Sequence, residues 1–178
     1  MDVKTRLKNA TDKLTAGLMP GTSPEEADIL DTLKKEHDEV QELLSDLNDS
    51  SNARERKSLV AQIKKALLPH TKAEEKTVYD AVIAARTSSK EDSQKQKQDG
   101  TEGYMEHALA SQTLAKLEKL KPDSVEFLAA AKVLKELVDH HVKEEERNIW
   151  SDVKNSFDSE ERVAMNRRFL AAKKRVKV

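Results

Sequence analysis

Two sequence segments that each occur twice determine the fold and the chemistry of this chain. The segment EHDEVQELLSDL (residues 36–47) is matched about seventy residues later by EHALASQTLAKL (residues 106–117). The segment HTKAEEKTVY (residues 70–79) is matched in the same way by HVKEEERNIW (residues 141–150). The apolar residues of the first pair recur at steps of three and four, which is the period of an amphipathic helix. The chain therefore contains two similar halves, each with two histidine-bearing helices in succession.

The composition of the whole chain is typical of long helices exposed to water. Charged residues make up 37% of the 178 residues, aromatic residues only 3%, and glycine and proline occur four times each. Alanine, leucine, glutamate and lysine dominate, and these residues have high helix propensity. We therefore predict an all-α protein. Because most connections are short, consecutive helices should form an up-down-up-down antiparallel four-helix bundle, with extra N-terminal and C-terminal helices.

Turn and capping residues predict where the helices begin and end. The stretch SPEE (residues 23–26) predicts a helix start near Pro24, and Pro69 predicts a kink in a helix from about residue 53 to 86. Residues 87–103 lack large apolar side chains and are predicted to be a mobile loop or a frayed helix end. Further helices are predicted at 104–120, from Asp123 to about 155, and after Asp158. The predicted units are an N-terminal amphipathic helix and linker (1–22), the four-helix bundle (23–156) and a C-terminal basic helix (157–178).

Several classes of site and partner are excluded by the composition. The chain has no cysteine, so any metal must be held by nitrogen and oxygen ligands. The 32 lysine and arginine residues nearly balance the 33 aspartate and glutamate residues, and we expect no nucleic-acid partner. Neither a signal-peptide-like stretch nor a membrane-spanning apolar run is found, so we expect a cytoplasmic protein with no membrane partner. The oligomeric state is left open.

Two histidine-glutamate pairs are spaced by one helical turn. His70 precedes Glu74 by four residues, and His141 precedes Glu145 by the same spacing, so each pair can direct its ligand atoms to one point. These positions lie on apolar helix faces, where buried charged groups are costly unless a cation compensates them. A pair of metal ions supplies that compensation, and four imidazoles with two carboxylates suit first-row metals such as iron. The predicted metal ligands are His37, His70, Glu74, His107, His141 and Glu145.

This ligand pattern resembles that of the hemerythrin-like (HHE) cation-binding domains, over roughly residues 29–153. The resemblance implies that the four histidines are terminal ligands of two non-haem iron ions. It also implies that Glu74 and Glu145 bridge the ions beside an oxo, hydroxo or water bridge. The family's oxygen carriers have a second histidine one turn after the third-helix ligand, where this chain has Ser111, and an aspartate five residues after the last histidine. The centre is therefore expected to be more open, or to recruit water, Glu75, Tyr79 or Tyr104.

The resemblance implies a protein that binds, senses or reacts with oxygen, nitric oxide or peroxide, and the departures favour sensing or peroxide chemistry over oxygen carriage. One alternative is a ferritin-like di-iron oxidase or peroxidase, although that family uses the reversed order Glu-x-x-His. Another is a structural protein in which a metal such as zinc only holds helices together. Tyr79 and Trp150 are predicted to be core or cap residues, and Glu75 and Glu146 are predicted to form exposed salt bridges.

Overall fold

The computed structural model describes residues 23–87 and 89–178, and this part of the chain is helical without any strand. A 3-10 turn (Pro24–Glu26) precedes the helices, and a π-helical turn (Glu75–Tyr79) joins the second helix to the third. The α-helices are α1 (Ile29–Asp49), α2 (Ala53–Glu74), α3 (Asp80–Ala84), α4 (Lys90–Leu117), α5 (Val125–Arg147), α6 (Ile149–Ser156) and α7 (Ser159–Lys173). The predicted N-terminal helix at 1–22 lies outside the described residues. None of the helices described combines the length and apolar composition that crossing a membrane requires.

Two helix starts differ from the sequence prediction. Residues 24–26 form only the 3-10 turn, and α1 begins five residues later than predicted, where the Asp28 side chain accepts a hydrogen bond from the Leu30 amide. Helix α5 is capped by Ser124, not by Asp123. In both cases the capping residue is the one with extended backbone next to the first helical turn, as capping requires. The start of α7 after Asp158 is confirmed.

The prediction of a mobile loop or a frayed helix end at 87–103 is wrong from Lys90 onward, because α4 begins there and continues as a regular helix through this stretch. Its buried face contains glycine at positions 100 and 103. A Cβ atom added to Gly100 would lie 2.8 Å from Cγ1 of Ile83, and one added to Gly103 would lie 2.6 Å from the Tyr79 ring. Large side chains of α3 and the π-helical turn therefore pack directly on the backbone of the first part of α4, where the helix has no large apolar residues of its own.

The long helix that contains Pro69 is interrupted later than predicted. Helix α2 passes through Pro69, and the departure from α-helical hydrogen bonding comes at Glu75–Tyr79, before the segment ends at Ala84 rather than Arg86. The equivalent place in the second half, Asn148, separates α5 from α6. Each half thus has an irregular turn immediately after its His-x-x-x-Glu motif. Such π-helical turns often occur at functional sites.

The four histidine-bearing helices pack side by side. Helix α1 contacts α2 and α5, α4 contacts α5 and α2, and α7 packs across α1 and α2. Two apolar clusters fill the interior. Helix α1 contributes Val40, Leu44 and Leu47 to one cluster and Ile29, Leu30 and Leu33 to the other. His37 lies between these segments of α1, so the polar groups form a layer between two apolar clusters.

Candidate metal centre

The six predicted ligands converge in the interior from α1, α2, α4 and α5. Each is at most 8% exposed, and Glu74 is fully buried. Their side chains are His37, His70, Glu74, His107, His141 and Glu145. Two groups of three have ligand atoms within 4.8 Å of one another: the first is His37, His70 and Glu74, and the second is Glu74, His107 and His141. Glu74 belongs to both groups, so a single carboxylate faces two candidate cation positions.

The two central glutamates face the histidines in a two-fold symmetric way. Glu74 Oε2 lies 3.3 Å from Nε2 of His70, on its own helix, and 3.5 Å from Nε2 of His107 in the other half. Glu145 Oε2 lies 3.2 Å from Nε2 of His141, on its own helix, and 3.7 Å from Nε2 of His37 in the other half. Each carboxylate therefore spans both halves of the repeat, as a bridging ligand would.

The hydrogen bonding of these groups fits a cation. Neither oxygen of Glu74 accepts a well-formed hydrogen bond from the described residues, and Nε2 of His37 is likewise buried without one. Buried polar atoms without partners are costly, whereas the same atoms are suitable ligands for a metal ion. Imidazole nitrogen and carboxylate oxygen together favour borderline first-row metals over calcium or magnesium. The residues present therefore fit a pair of such ions.

The pKa shifts of the glutamates and histidines show how protons balance the buried charges of this site when no metal is bound. Burial, together with the facing Glu145, raises the pKa of Glu74. Burial opposes ionisation of Glu145 too, but the facing imidazoles of His37 and His141 hold its pKa well below its usual range. Burial disfavours the charged form of His70, yet Glu74 and Glu36 raise the pKa of His70 to about 10. A proton on His70 thus balances part of the carboxylate charge, whereas burial lowers the pKa of His107 to about 4.

A second set of four glutamates, which we call the outer carboxylates, faces the other nitrogen of each histidine; three of the pairs are hydrogen-bonded, and Glu75 lies only within ion-pair distance of His107. The Nδ1 atoms and the carboxylate oxygens pair at 3.2 Å for His37 and Glu146, 3.0 Å for His70 and Glu36, 3.4 Å for His107 and Glu75, and 2.7 Å for His141 and Glu106. In each pair the glutamate belongs to a neighbouring helix. A carboxylate on Nδ1 leaves Nε2 as the atom that faces the centre, and such partners orient metal ligands and raise their basicity.

Each outer carboxylate also contacts a cationic or titratable side chain nearer the surface. Lys173 of α7 lies 2.6 Å from Glu36, and Lys72 lies 2.9 Å from Glu75. Lys34 and His140 lie 3.6 Å from Glu146 and Glu106, respectively. Glu75 and Glu146 do form the predicted salt bridges with lysine, but the prediction did not include their contacts with histidine. The sequence carried a signal for these roles, because all four outer carboxylates stand next to a predicted ligand at repeated positions.

Three aromatic rings cover the histidines. Tyr79 is fully buried; its ring stacks on His107 at 5.3 Å, and its hydroxyl donates to Glu145 Oε2 at 3.3 Å. The Trp150 ring stacks on His37 at 6.0 Å, and its Nε1 donates to Glu145 Oε1 at 3.2 Å. The Phe169 ring of α7 lies edge-on to His70 at 5.9 Å. Tyr79 is therefore buried in the interior, Trp150 is partly buried against the core, and both are hydrogen-bonded to a candidate ligand.

Tyr104 and His140 lie away from the centre. The Tyr104 hydroxyl donates to the carbonyl of Glu75 and to a carboxylate oxygen of Asp80, and so does not face the histidines. The His140 side chain is 63% exposed. Neither is positioned as a ligand.

Comparison with known proteins agrees with this geometry. The profile described as "Hemerythrin HHE cation binding domain" matches residues 28–151. A protein of Nostoc sp. (strain PCC 7120) named "DNA nickase" is 26% identical over 156 residues, which cover 88% of this chain and 42% of that protein. The chain thus spans about two fifths of the length of this curated relative. No solved structure matches the chain significantly. Since the profile covers more than half of the chain, the protein belongs to the hemerythrin HHE cation-binding domain family.

Proposed function

We propose that this chain holds two non-haem iron ions and binds, senses or reacts with oxygen, nitric oxide or peroxide. The proposed terminal ligands are His37, His70, His107 and His141, and the proposed bridging ligands are Glu74 and Glu145. The observation that carries the proposal is Glu74, a fully buried carboxylate without a well-formed hydrogen bond, shared by two groups of candidate ligands. An oxo or hydroxo bridge between the ions would complete the centre.

The chain's own residues supply the surroundings that such a centre needs. The bound iron pair would supply redox chemistry and an open coordination position. The outer carboxylates orient the imidazoles, and the apolar clusters on both sides exclude water. The Trp150 indole donates a hydrogen bond to Glu145 Oε1, which holds that carboxylate in place, and the Tyr79 hydroxyl donates only a longer, weaker one to Oε2. This arrangement supports binding of a small molecule more directly than a purely structural role.

We also propose the alternating up-down arrangement of the four long helices. Gln41 of α1 donates to Asp139, whereas Asn48, two turns later in α1, donates to the carbonyl of Ala131, two turns earlier in α5. Since the contacting residue number rises along α1 while it falls along α5, these contacts support an antiparallel pair. The short connections between α1 and α2 and between α4 and α5 support the same arrangement for those pairs.

The nicking activity in the name of the Nostoc relative is not carried over, because this chain covers only 42% of that protein. The ferritin-like oxidase and the zinc-bound structural protein are outcomes of the test below. An oxidase would turn over peroxide or ferrous iron continuously. A structural protein would bind zinc as well as iron and show no optical response to small molecules.

The test is metal analysis of the purified and reconstituted protein with optical spectra before and after adding oxygen, nitric oxide or peroxide. We expect about two irons per chain and the visible absorption of an oxo-bridged ferric pair. His141→Ala should lower the iron content, whereas Lys143→Ala, at an exposed position on the same helix, should leave two irons bound. A reconstituted protein without iron, or equal iron contents in both variants, would contradict the proposal.

A further inference from the structure

The two ends of the candidate centre differ in what covers them. At the end formed by His37 and His70, the Trp150 ring stacks on one imidazole and the Phe169 ring lies against the other. Phe169 is fully buried, and Lys173 lies over its outer face at 5.5 Å from the ring centroid. This end is closed by side chains of α6 and α7.

The end formed by His107 and His141 borders a cleft. The cleft lies between α4 and the junction of α5 and α6, occupies about 270 Å³ including its open mouth, and is lined in part by Tyr79, Glu102, Gly103, His141, Glu145 and Asn148. We call it the Gly103 cleft. The His141 side chain is 10% exposed, whereas those of the other three histidines are 2–4% exposed. Solvent therefore approaches the centre from this side.

Tyr79 places a hydrogen-bond donor at the inner end of the Gly103 cleft. Its hydroxyl lies 3.3 Å from Glu145 Oε2 and 3.4 Å from Nε2 of His107, and both distances exceed those of strong O–H hydrogen bonds. Gly103 allows the ring to occupy this position, since a Cβ atom there would lie 2.6–2.9 Å from three atoms of Tyr79. A weakly bonded buried hydroxyl can turn toward an incoming acceptor at small cost.

We propose that small molecules reach the centre through the Gly103 cleft and bind at the His107–His141 end, where the Tyr79 hydroxyl donates a hydrogen bond to them. The preferred ligand is a molecule of a few atoms with a hydrogen-bond acceptor beside the atom that contacts the centre. Azide and hydrogen peroxide have this chemistry. The inference rests on the proposed iron centre and specifies where that centre accepts its ligand and which residue selects it.

Azide affinity tests the role of Tyr79. Iron-loaded ferric protein is titrated with azide and followed by its visible absorption, with iron content measured in parallel. Tyr79→Phe should keep two irons and weaken azide binding about tenfold, the effect of one hydrogen bond to a charged acceptor. The matched change Tyr104→Phe, whose hydroxyl faces away from the centre, should leave azide affinity within twofold. Loss of iron in Tyr79→Phe, or unchanged azide affinity, would overturn the role assigned to Tyr79.

Nitric oxide tests the route, because a neutral probe does not respond to charges at the cleft mouth. Stopped-flow association with the ferrous protein should be at least fivefold slower in Glu102→Trp, where the indole covers the mouth. Glu91→Trp, an exposed position three turns earlier on the same face of α4, should associate at the wild-type rate. Equal rates in both variants would overturn the route while leaving the iron centre intact. A wild-type protein that binds no iron would overturn both the centre and this inference.

Discussion

Replacing Glu74 by glutamine should abolish metal binding and yet leave the metal-free protein at least as stable as the metal-free wild type. Glu74 is fully buried and faces Glu145, and its oxygens accept no well-formed hydrogen bond from described residues. Glutamine keeps the shape and removes the ionisable group. An unsatisfied buried group costs about 1–3 kcal/mol, and because the amide remains partly unsatisfied we expect a gain near the lower limit, about 1 kcal/mol.

The matched change Glu145→Gln should lower the stability of the metal-free protein rather than raise it. Glu145 accepts a hydrogen bond from Trp150 and a weaker one from Tyr79, and it faces His141 at 3.2 Å, so its ionised form has bonded partners. Loss of a charged acceptor costs about 1.5–3 kcal/mol. At roughly 3 °C per kcal/mol for a chain of this size, Glu74→Gln should raise the metal-free Tm by about 3 °C, and Glu145→Gln should lower it by about 5–9 °C.

Thermal unfolding followed by circular dichroism, with and without chelator, measures both effects. Iron at a thousandfold excess over its Kd should stabilise the wild type by about 4 kcal/mol, or roughly 12 °C, because metal binds only the folded chain. Neither variant should show this gain. If the Tm of metal-free Glu74→Gln lies well below that of the metal-free wild type, or if both variants shift the Tm equally, the unequal roles assigned to the two carboxylates are wrong.

Three further changes test the surroundings of the centre. Glu36→Gln should lower iron affinity by about 10–100-fold without unfolding the chain, because the carboxylate on Nδ1 of His70 is lost. Competition with a chelator measures this affinity. An unchanged affinity would contradict the orienting role of Glu36. Gly100→Ala should lower the free energy of unfolding by about 1–3 kcal/mol, because the added methyl group overpacks against Ile83. In urea unfolding, the double variant with Ile83→Ala should recover part of that loss. Additive losses would contradict the close packing. Asp158→Ala removes half of the α7 capping box and should lower stability by about 1 kcal/mol, with faster amide exchange confined to α7 if the helix frays there.

The location of the candidate site could be predicted from the sequence because its determinants are local and repeated. A spacing of four residues places His70 above Glu74 on any α-helix, and the second copy repeats the same geometry at His141 and Glu145. The apolar residues around them indicated which face would be buried. The structure brings the six residues together, and their assignment as metal ligands stays a prediction until metal is measured.

Features that depend on contacts between helices were not predictable in the same way. The pairing of Glu36 with His70 and of Glu146 with His37 depends on the rotation and height of two helices relative to each other. The first part of α4 packs through glycines against Ile83 and Tyr79, whereas apolar periodicity responds only to large side chains and so did not indicate a helix there. The contribution of α7 through Lys173 required knowing where a helix beyond residue 151 would pack.

The order of the outer carboxylates around the centre has a consequence for assembly. Glu36 to His70 and Glu106 to His141 are contacts within one half of the chain, whereas Glu75 to His107 and Glu146 to His37 join the two halves. Contacts within and between halves therefore alternate around a closed cycle. Residues 27–86 alone form a helical hairpin with two ligand histidines, His37 and His70, and two outer carboxylates, Glu36 and Glu75. Two copies of this hairpin related by a two-fold axis could therefore form the same four glutamate–histidine contacts as a homodimer.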